Sequence, residues 1–205
     1  MKIRLYSYGG SGLKFLTMHL NSLGFDCHKK DHNPHRSYSE GVVDENVERI
    51  IYLYANPVLS FLSYWRRTSG DLRWINKHIK HMGSSRKISQ PMESYIRNVS
   101  EFPELHHHFM SWYNSSLSVP IAFVRYEDLS LPSTERDLKT FLDFEGHLGI
   151  VDSFRPRRSN ENVLSEELLN RVREMFSDLI EIQQTLPSVY VIEHKNETIE
   201  ANMGL

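Results

Sequence analysis

The chain has 205 residues, of which 40% are hydrophobic and 24% charged, and this composition excludes a largely disordered protein. The formal net charge of −2 disfavours a dedicated nucleic-acid binder, and the single cysteine excludes an internal disulfide. No apolar run approaches the roughly 18 residues that span a bilayer, and the first residues lack the apolar core of a signal peptide. We therefore expect a cytoplasmic protein with one domain over residues 1–190 and a polar, loose tail over 191–205.

The predicted elements alternate between strand and helix along the chain. Strands are predicted over 2–8, more weakly over 25–30, and then over the strongly apolar runs 48–54 and 119–126. Leucines spaced three and four apart predict a helix over 13–23 that Gly24 closes, and Asn56-Pro57 opens a second helix. Further helices are predicted at about 133–145 and 165–180, and the triplet His106–His108 fits a helix with His108 facing inward. The alternation predicts an α/β fold with a mostly parallel sheet that is covered on both faces.

The stretch SYGGSGLKFL, Ser7 to Leu16, places a glycine-rich turn between the first strand and the first helix. Such a turn points backbone N–H groups and the positive end of the helix dipole at one spot, which predicts an anion site. The pattern differs from the ATP- and GTP-binding one, because no Ser or Thr follows Lys14 to hold Mg²⁺. The strand over 48–54 also runs into Ala55 instead of a metal-binding Asp. The alternative is that the glycines only form a tight turn.

Five segments resemble the sulfotransferases that use 3′-phosphoadenosine 5′-phosphosulfate (PAPS). SYGGSGLKF resembles the family's 5′-phosphosulfate loop, roughly T-Y-P-K-S-G-T-T-W, and YANPVLSFLSYW resembles its second signature. KDHNP is similar to the family's K-T-H-L-P, and HHFMSWYNSSLSVPIAFVRYEDL to its H-x(3)-W and Y-E-D-L passage. FRPRRSNENVLSEELLNRVREMF is similar to the segment that closes over the nucleotide. The five occur in the family's order and cover most of the chain.

The resemblance implies a P-loop-like, three-layer α/β/α fold and a metal-free transfer of a sulfuryl group from PAPS to a hydroxyl or amine. The product nucleotide would be adenosine 3′,5′-bisphosphate (PAP). No residue names the acceptor, so a carbohydrate, a lipid and a small alcohol or phenol all remain open. The residues assigned to the cofactor are Tyr8, Gly9, Gly10, Ser11, Gly12, Leu13, Lys14, Phe15, Ser63, Tyr126, Arg157, Arg158 and Ser159.

Some of these side chains have two interpretations. Phe15 and Tyr126 fit an adenine contact and core packing equally well. Ser63 and the arginines of the run 155–158 suit the 3′-phosphate, because arginine can bind phosphate through two parallel hydrogen bonds. A solvated loop is the alternative for that run.

The resemblance also assigns the catalytic residues. The setting K-x-H-x-P makes His32 the base that takes the acceptor proton, since a histidine titrates near neutrality. Lys30 would be its charge partner, and Lys14 would lie near the leaving phosphate. If His32 is not the base, His35 or Asp31 would take that role.

Two positions depart from the family pattern. Gly10 stands where the family has a lysine beside the leaving phosphate, and Ala55 stands where it has an arginine on the 3′-phosphate. The departures leave open a protein that binds PAP or PAPS without turnover, and the missing metal groups count against a small P-loop kinase. The replacement charges expected near the 5′ end are Lys14, Lys30 or Arg36, and those near the 3′ end are Arg66, Arg67, Arg157 or Arg158.

Overall fold

A four-stranded sheet organises the part of the chain that the computed structural model describes, residues 1–27, 35–38, 46–68, 71–156 and 163–193. Its strands neighbour one another in chain order. β1, β2 and β3 are parallel, with Ile3 opposite Arg49 and Ile50 opposite Ile121, and the last strand, β4, runs antiparallel to β3. This confirms the predicted α/β fold with a mostly parallel sheet. The strands are β1 (Ile3–Tyr6), β2 (Arg49–Tyr54), β3 (Ile121–Arg125) and β4 (Val189–Ile192).

Helices fill the connections, and residue types at their ends explain their bounds. The second helix begins at Pro57 because the side-chain oxygen of Asn56 accepts a hydrogen bond from the Val58 N–H at 2.9 Å. The first ends before Gly24, whose φ of 90° favours glycine. A 3₁₀ turn, Tyr126–Asp128, follows β3. The described helices are α1 (Leu13–Ser22), α2 (Pro57–Thr68), α3 (Leu72–His81), α4 (Met92–Asn98), α5 (Pro103–Tyr113), α6 (Pro132–Phe141), α7 (Ile150–Ser153), α8 (Glu166–Met175) and α9 (Ser177–Thr185).

Strands β1, β2 and β3 are buried on both faces of the sheet, whereas β4 is half-buried. Successive side chains of a strand point to opposite faces. One face presents aromatic side chains such as Tyr52 and Phe123, which pack against residues of α2, α3, α4, α5, α8 and α9. The other face presents aliphatic side chains such as Leu5 and Leu53, which pack against α1, α6 and α7. Helices therefore cover both faces, as predicted.

Two predicted elements differ from the structure. The weak strand predicted over 25–30 is reduced, in its described part, to a single parallel bridge between Asp26 and Lys2. The helix predicted over 165–180 is interrupted at Phe176, which separates α8 from α9. The φ of Phe176 is −117°, outside the helical range, and its buried ring lies 5.7 Å from the ring of Phe61. Core packing of one aromatic ring thus overrides the helical periodicity.

The described chain ends in β4, and two further features concern Cys27 and the lengths of the helices. β4 continues past position 190, while residues 194–205 of the predicted tail lie outside the described residues, so the division at 190 stays a prediction. Cys27 is buried beside the bridge at Asp26, and this burial raises the pKa of its thiol to about 12. Across the described ranges, no helix combines the length and the apolar character that crossing a membrane requires.

Candidate functional site

The glycine-rich loop joins the carboxyl end of β1 to the first turn of α1, at the sheet edge where open α/β folds bind ligands. Gly9, Gly10 and Gly12 have φ values of 99°, 76° and 69°, which glycine adopts without strain. Ser7 braces the turn, because its Oγ accepts a hydrogen bond from the Gly9 N–H at 2.8 Å and is bonded to the Ser11 hydroxyl. Gly12 is the N-cap of α1 and offers no side chain to cap its N–H groups.

Each of these glycines is pressed against a different part of the fold. A Cβ added to Gly9 would lie 2.5 Å from His78 Nε2, and one added to Gly10 would lie 3.0 Å from Ser60 Cα. A Cβ added to Gly12 would collide with the ring of Tyr126. The loop is therefore held in shape by α2, α3 and the turn after β3, and not by its own sequence alone.

The side chain of Tyr8 anchors the loop to the core of the domain. Its side chain is fully buried, and its hydroxyl donates to the Ala55 carbonyl and accepts from the Ala55 N–H at 3.2 Å and from Gln183 Nε2 at 3.1 Å. Burial raises the pKa of this hydroxyl, so it stays protonated. The Tyr8 carbonyl accepts from the hydroxyl of Tyr64 and from His78 Nε2 at 2.9 Å. The structure thus gives Tyr8 a bracing position within the core, and this predicted cofactor residue is not among those that line the cavity over the loop.

A cavity of about 420 Å³ lies over the loop. It brings together the predicted cofactor residues from Gly9 to Lys14 and adds residues from α1, the segment 35–38 and α2. Arg67, one of the four arginines predicted near the 3′ end, lines this cavity together with Lys14, because α2 runs beside the loop. The lining residues are Gly9, Gly10, Ser11, Gly12, Leu13, Lys14, Thr17, Met18, Asn21, His35 and Arg67. A larger open cavity of about 730 Å³ beside α6 and α7 contains none of the predicted site residues.

His35 lines the cavity and is tied to the loop. Its Nδ1 lies 2.8 Å from the Ser7 carbonyl, which can only accept, so Nδ1 carries a proton, and whenever the ring is neutral its lone pair is on Nε2. The ring centroid of His78 lies 4.4 Å away. Burial, followed by the neighbouring charge of His35, lowers the pKa of His78 to about 3, so His78 is neutral at physiological pH.

Aromatic rings gather beside the first turn of α1. The half-buried ring of Phe15 lies 5.5 Å from His19, nearly parallel to it, and 5.3 Å from Phe154. Tyr126 is buried, with its ring edge-on to Phe154 at 5.1 Å and against Gly12. Phe15 therefore keeps an exposed surface, whereas Tyr126 mainly packs. Sequence reasoning missed His19 and Phe154 here, although the i, i+4 spacing of Phe15 and His19 was a usable signal.

The rest of the predicted site is divided between buried and undescribed residues. Ser63 and Ala55 are 4% and 2% exposed, so neither side chain offers much surface. Lys30, His32, Arg157, Arg158 and Ser159 lie outside the described residues, and their roles stay predictions. Among the residues that are described, no group of three or more His, Cys, Asp or Glu side chains is arranged to hold a metal ion.

The comparison with protein families adds the last observation. A family model described as a sulfotransferase domain matches residues 19–196. The match begins within α1, so it leaves out the glycine-rich loop, for which the geometry above stands on its own. No curated protein and no solved structure matches the chain. Because the matched region takes in most of the 205 residues, this chain belongs to the sulfotransferase family.

Proposed function

We propose that the protein transfers a sulfuryl group from PAPS to a hydroxyl or amine of an acceptor. The observation that carries the proposal is the cavity over the loop, which the residues Gly9 to Gly12 and the cations Lys14 and Arg67 line at the carboxyl edge of the sheet. Such a cavity suits the 5′-phosphosulfate end of the donor. The P-loop-like character of the loop is part of this proposal.

When bound, PAPS would supply an activated sulfuryl group whose sulfur–oxygen bond to phosphate breaks as the acceptor oxygen or nitrogen bonds to sulfur. The loop N–H groups and Lys14 would bind the phosphate and stabilise the negative charge that develops on it. Gly9, Gly10 and Gly12 let the loop pack closely against its supports, since a side chain at any of them would meet α2, α3 or Tyr126. Catalysis would therefore depend on positioning and charge, with no metal required.

A base has to take the acceptor proton. We assign it to His32 from its K-x-H-x-P setting. His35 is the second candidate, because it lines the cavity with its Nδ1 proton held by the Ser7 carbonyl. That hydrogen bond leaves Nε2 as the acceptor nitrogen of the neutral ring. For the 3′-phosphate we assign Arg157 or Arg158 with Ser63, and for adenine Phe15.

A second function, nucleotide binding without turnover, is favoured by one specific observation. Gly10 and Ala55 replace the two cations of the family pattern. A side chain on Gly10 would meet Ser60, and Ala55 is buried, so neither position has open space for a cationic side chain. A protein that holds PAP and releases it unchanged would use the same cavity.

Two measurements test the proposal. First, PAP should raise the melting temperature in EDTA, since ligand at a hundredfold excess over Kd stabilises a protein by about 2.7 kcal/mol. A larger shift with ATP–Mg²⁺ would instead support the kinase alternative. Second, labelled PAPS should transfer its label to at least one member of a panel of carbohydrate, lipid and phenol acceptors. A protein that binds PAP but labels no acceptor would be the binding protein described above.

A further inference from the structure

Helix α2 presents one face to the glycine-rich loop. Ser60, Tyr64 and Arg67 are spaced by four and three residues, so they lie along one side of the helix. Ser60 is fully buried against Gly10, the hydroxyl of Tyr64 donates to the Tyr8 carbonyl, and Arg67 lines the cavity. The contacts of the first two residues therefore fix where the third lies.

The same packing prevents the loop from carrying a cation of its own at position 10. A Cβ added to Gly10 would lie 3.0 Å from Ser60 Cα and 3.1 Å from Ser60 Oγ. The φ of Gly10, 76°, also disfavours any residue with a side chain. A positive group for this end of the cavity has to come from another element.

Arg67 is held in position by a stack of rings that ends on the loop. Its guanidinium carbon lies 5.7 Å from the ring centroid of Trp74, within the range of a cation–π contact. Trp74 stacks on His78 with centroids 5.1 Å apart and planes 10° from parallel, and His78 Nε2 donates to the Tyr8 carbonyl. Because His78 is neutral, the stack adds no positive charge next to the guanidinium.

We propose that Arg67 binds the charged 5′ group of the donor nucleotide, in place of a cation within the loop. The inference rests on the proposed function and extends it by naming a binding residue of that cavity. The planar guanidinium can bind a phosphate or sulfate through two hydrogen bonds, and its contact with Trp74 orders it before the ligand arrives. Lys14 approaches the same cavity from α1, so the anionic group meets cations from two helices.

The test compares nucleotide binding by calorimetry in three proteins. Arg67→Ala should weaken binding of PAP by about 10- to 100-fold, the usual loss for a charge-assisted contact. Arg73→Ala is the matched control, because it removes the same charge from an arginine that is 92% exposed on α3 and does not line the cavity. The control should bind PAP as the wild type does. Arg67→Lys, which keeps the charge and loses the fork, should fall between wild type and Arg67→Ala.

A second ligand identifies the group that Arg67 contacts. Adenosine 3′-monophosphate lacks the 5′ group, so Arg67→Ala should bind it about as well as the wild type does. Equal losses for the two nucleotides, or unchanged PAP binding in Arg67→Ala, would overturn the inference while leaving the proposed function in place. Failure of the wild type to bind PAP would overturn both.

Discussion

Gly12 and Gly24 share a positive φ, 69° and 90°, but differ in their surroundings. A Cβ on Gly24 meets no atom within 4 Å, whereas one on Gly12 would collide with Tyr126 and lie 2.8 Å from its Cδ2. Gly24→Ala should therefore lower the free energy of unfolding by about 1–2 kcal/mol, the cost of the left-handed conformation. Gly12→Ala should lower the free energy of unfolding by about 1–3 kcal/mol more than Gly24→Ala does, the usual penalty of overpacking, and should also weaken PAP binding. Urea unfolding of both variants measures the difference, and equal losses would contradict the collision.

The buried histidines make stability depend on pH. Burial lowers the pKa of His78 and of His108 to about 3, while an unfolded histidine titrates near 6.5. Between these values the unfolded chain binds more protons, so stability falls as the pH drops from 6.5 towards 3, by about 1.4 kcal/mol per pH unit for each histidine. Unfolding free energies measured from pH 4 to 7 should show this slope.

Substitutions of single histidines separate their contribution to the pH dependence of stability from that of the carboxylates, which also titrate in acid. His108 Nδ1 is bonded to the Tyr52 hydroxyl, a contact that Asn can replace, and His78 Nε2 is bonded to the Tyr8 carbonyl, a contact that Gln can replace. His108→Asn and His78→Gln should each reduce the slope. His107→Asn alters an exposed histidine and should leave it unchanged. A slope that survives both buried substitutions would show that other groups cause the acid sensitivity.

The two candidate bases can be distinguished by kinetics. His32→Ala should lower kcat by about 10²–10⁴ with little change in PAP affinity, the range expected when a general base is removed. His35→Ala should have the smaller effect on kcat if it only braces the Ser7 carbonyl. The wild-type rate should fall as the pH drops below the pKa of the base, because a protonated ring cannot accept the acceptor's proton. If the large loss appears in His35→Ala and not in His32→Ala, the roles are reversed.

At the scale of elements, one hydroxyl joins the loop after β1, the end of β2 and α9. Tyr8→Phe removes this hydroxyl and leaves the N–H of Ala55 and the amide of Gln183 without that partner. Stability should fall by about 1–3 kcal/mol, the cost of unsatisfied buried groups, while PAP affinity changes little because the side chain lies outside the cavity. A large loss of affinity at unchanged stability would instead make Tyr8 the ligand residue that the family resemblance implies.

The elements best predicted from the sequence are those with the strongest apolar pattern. β2 and β3 are continuous buried runs, and α1 has leucines at helical spacing, so local residues decide them. The break at Phe176 depends on where Phe61 lies, about a hundred residues away in the chain, and no local pattern carries that information. The predicted helix over the histidine triplet is confirmed, with His108 buried and His107 exposed on α5.

At the scale of the whole molecule, the sequence predicted the glycine-rich turn between β1 and α1, but not that Arg67 lines the cavity over it. Glycine spacing is a local signal, so the turn from Gly9 to Gly12 could be predicted directly. The place of Arg67 depends on how α2 crosses the loop, which the contact between Ser60 and Gly10 determines. Likewise, Tyr8 lies just beyond β1, and its burial depends on contacts with Ala55 after β2 and with Gln183 of α9, which are distant in the chain. Features that depend on neighbouring residues can therefore be predicted from the sequence, whereas contacts between distant elements can be known only from the fold.

The buried thiol of Cys27 has a practical consequence for following this protein in solution. It is 1% exposed and its raised pKa keeps it protonated, so alkylating reagents should leave it untouched in the native state. Met18 is 62% exposed and lines the cavity over the loop. A fluorophore attached through Met18→Cys would therefore label one position without removal of the natural thiol, and its emission would report ligand arrival and departure in real time.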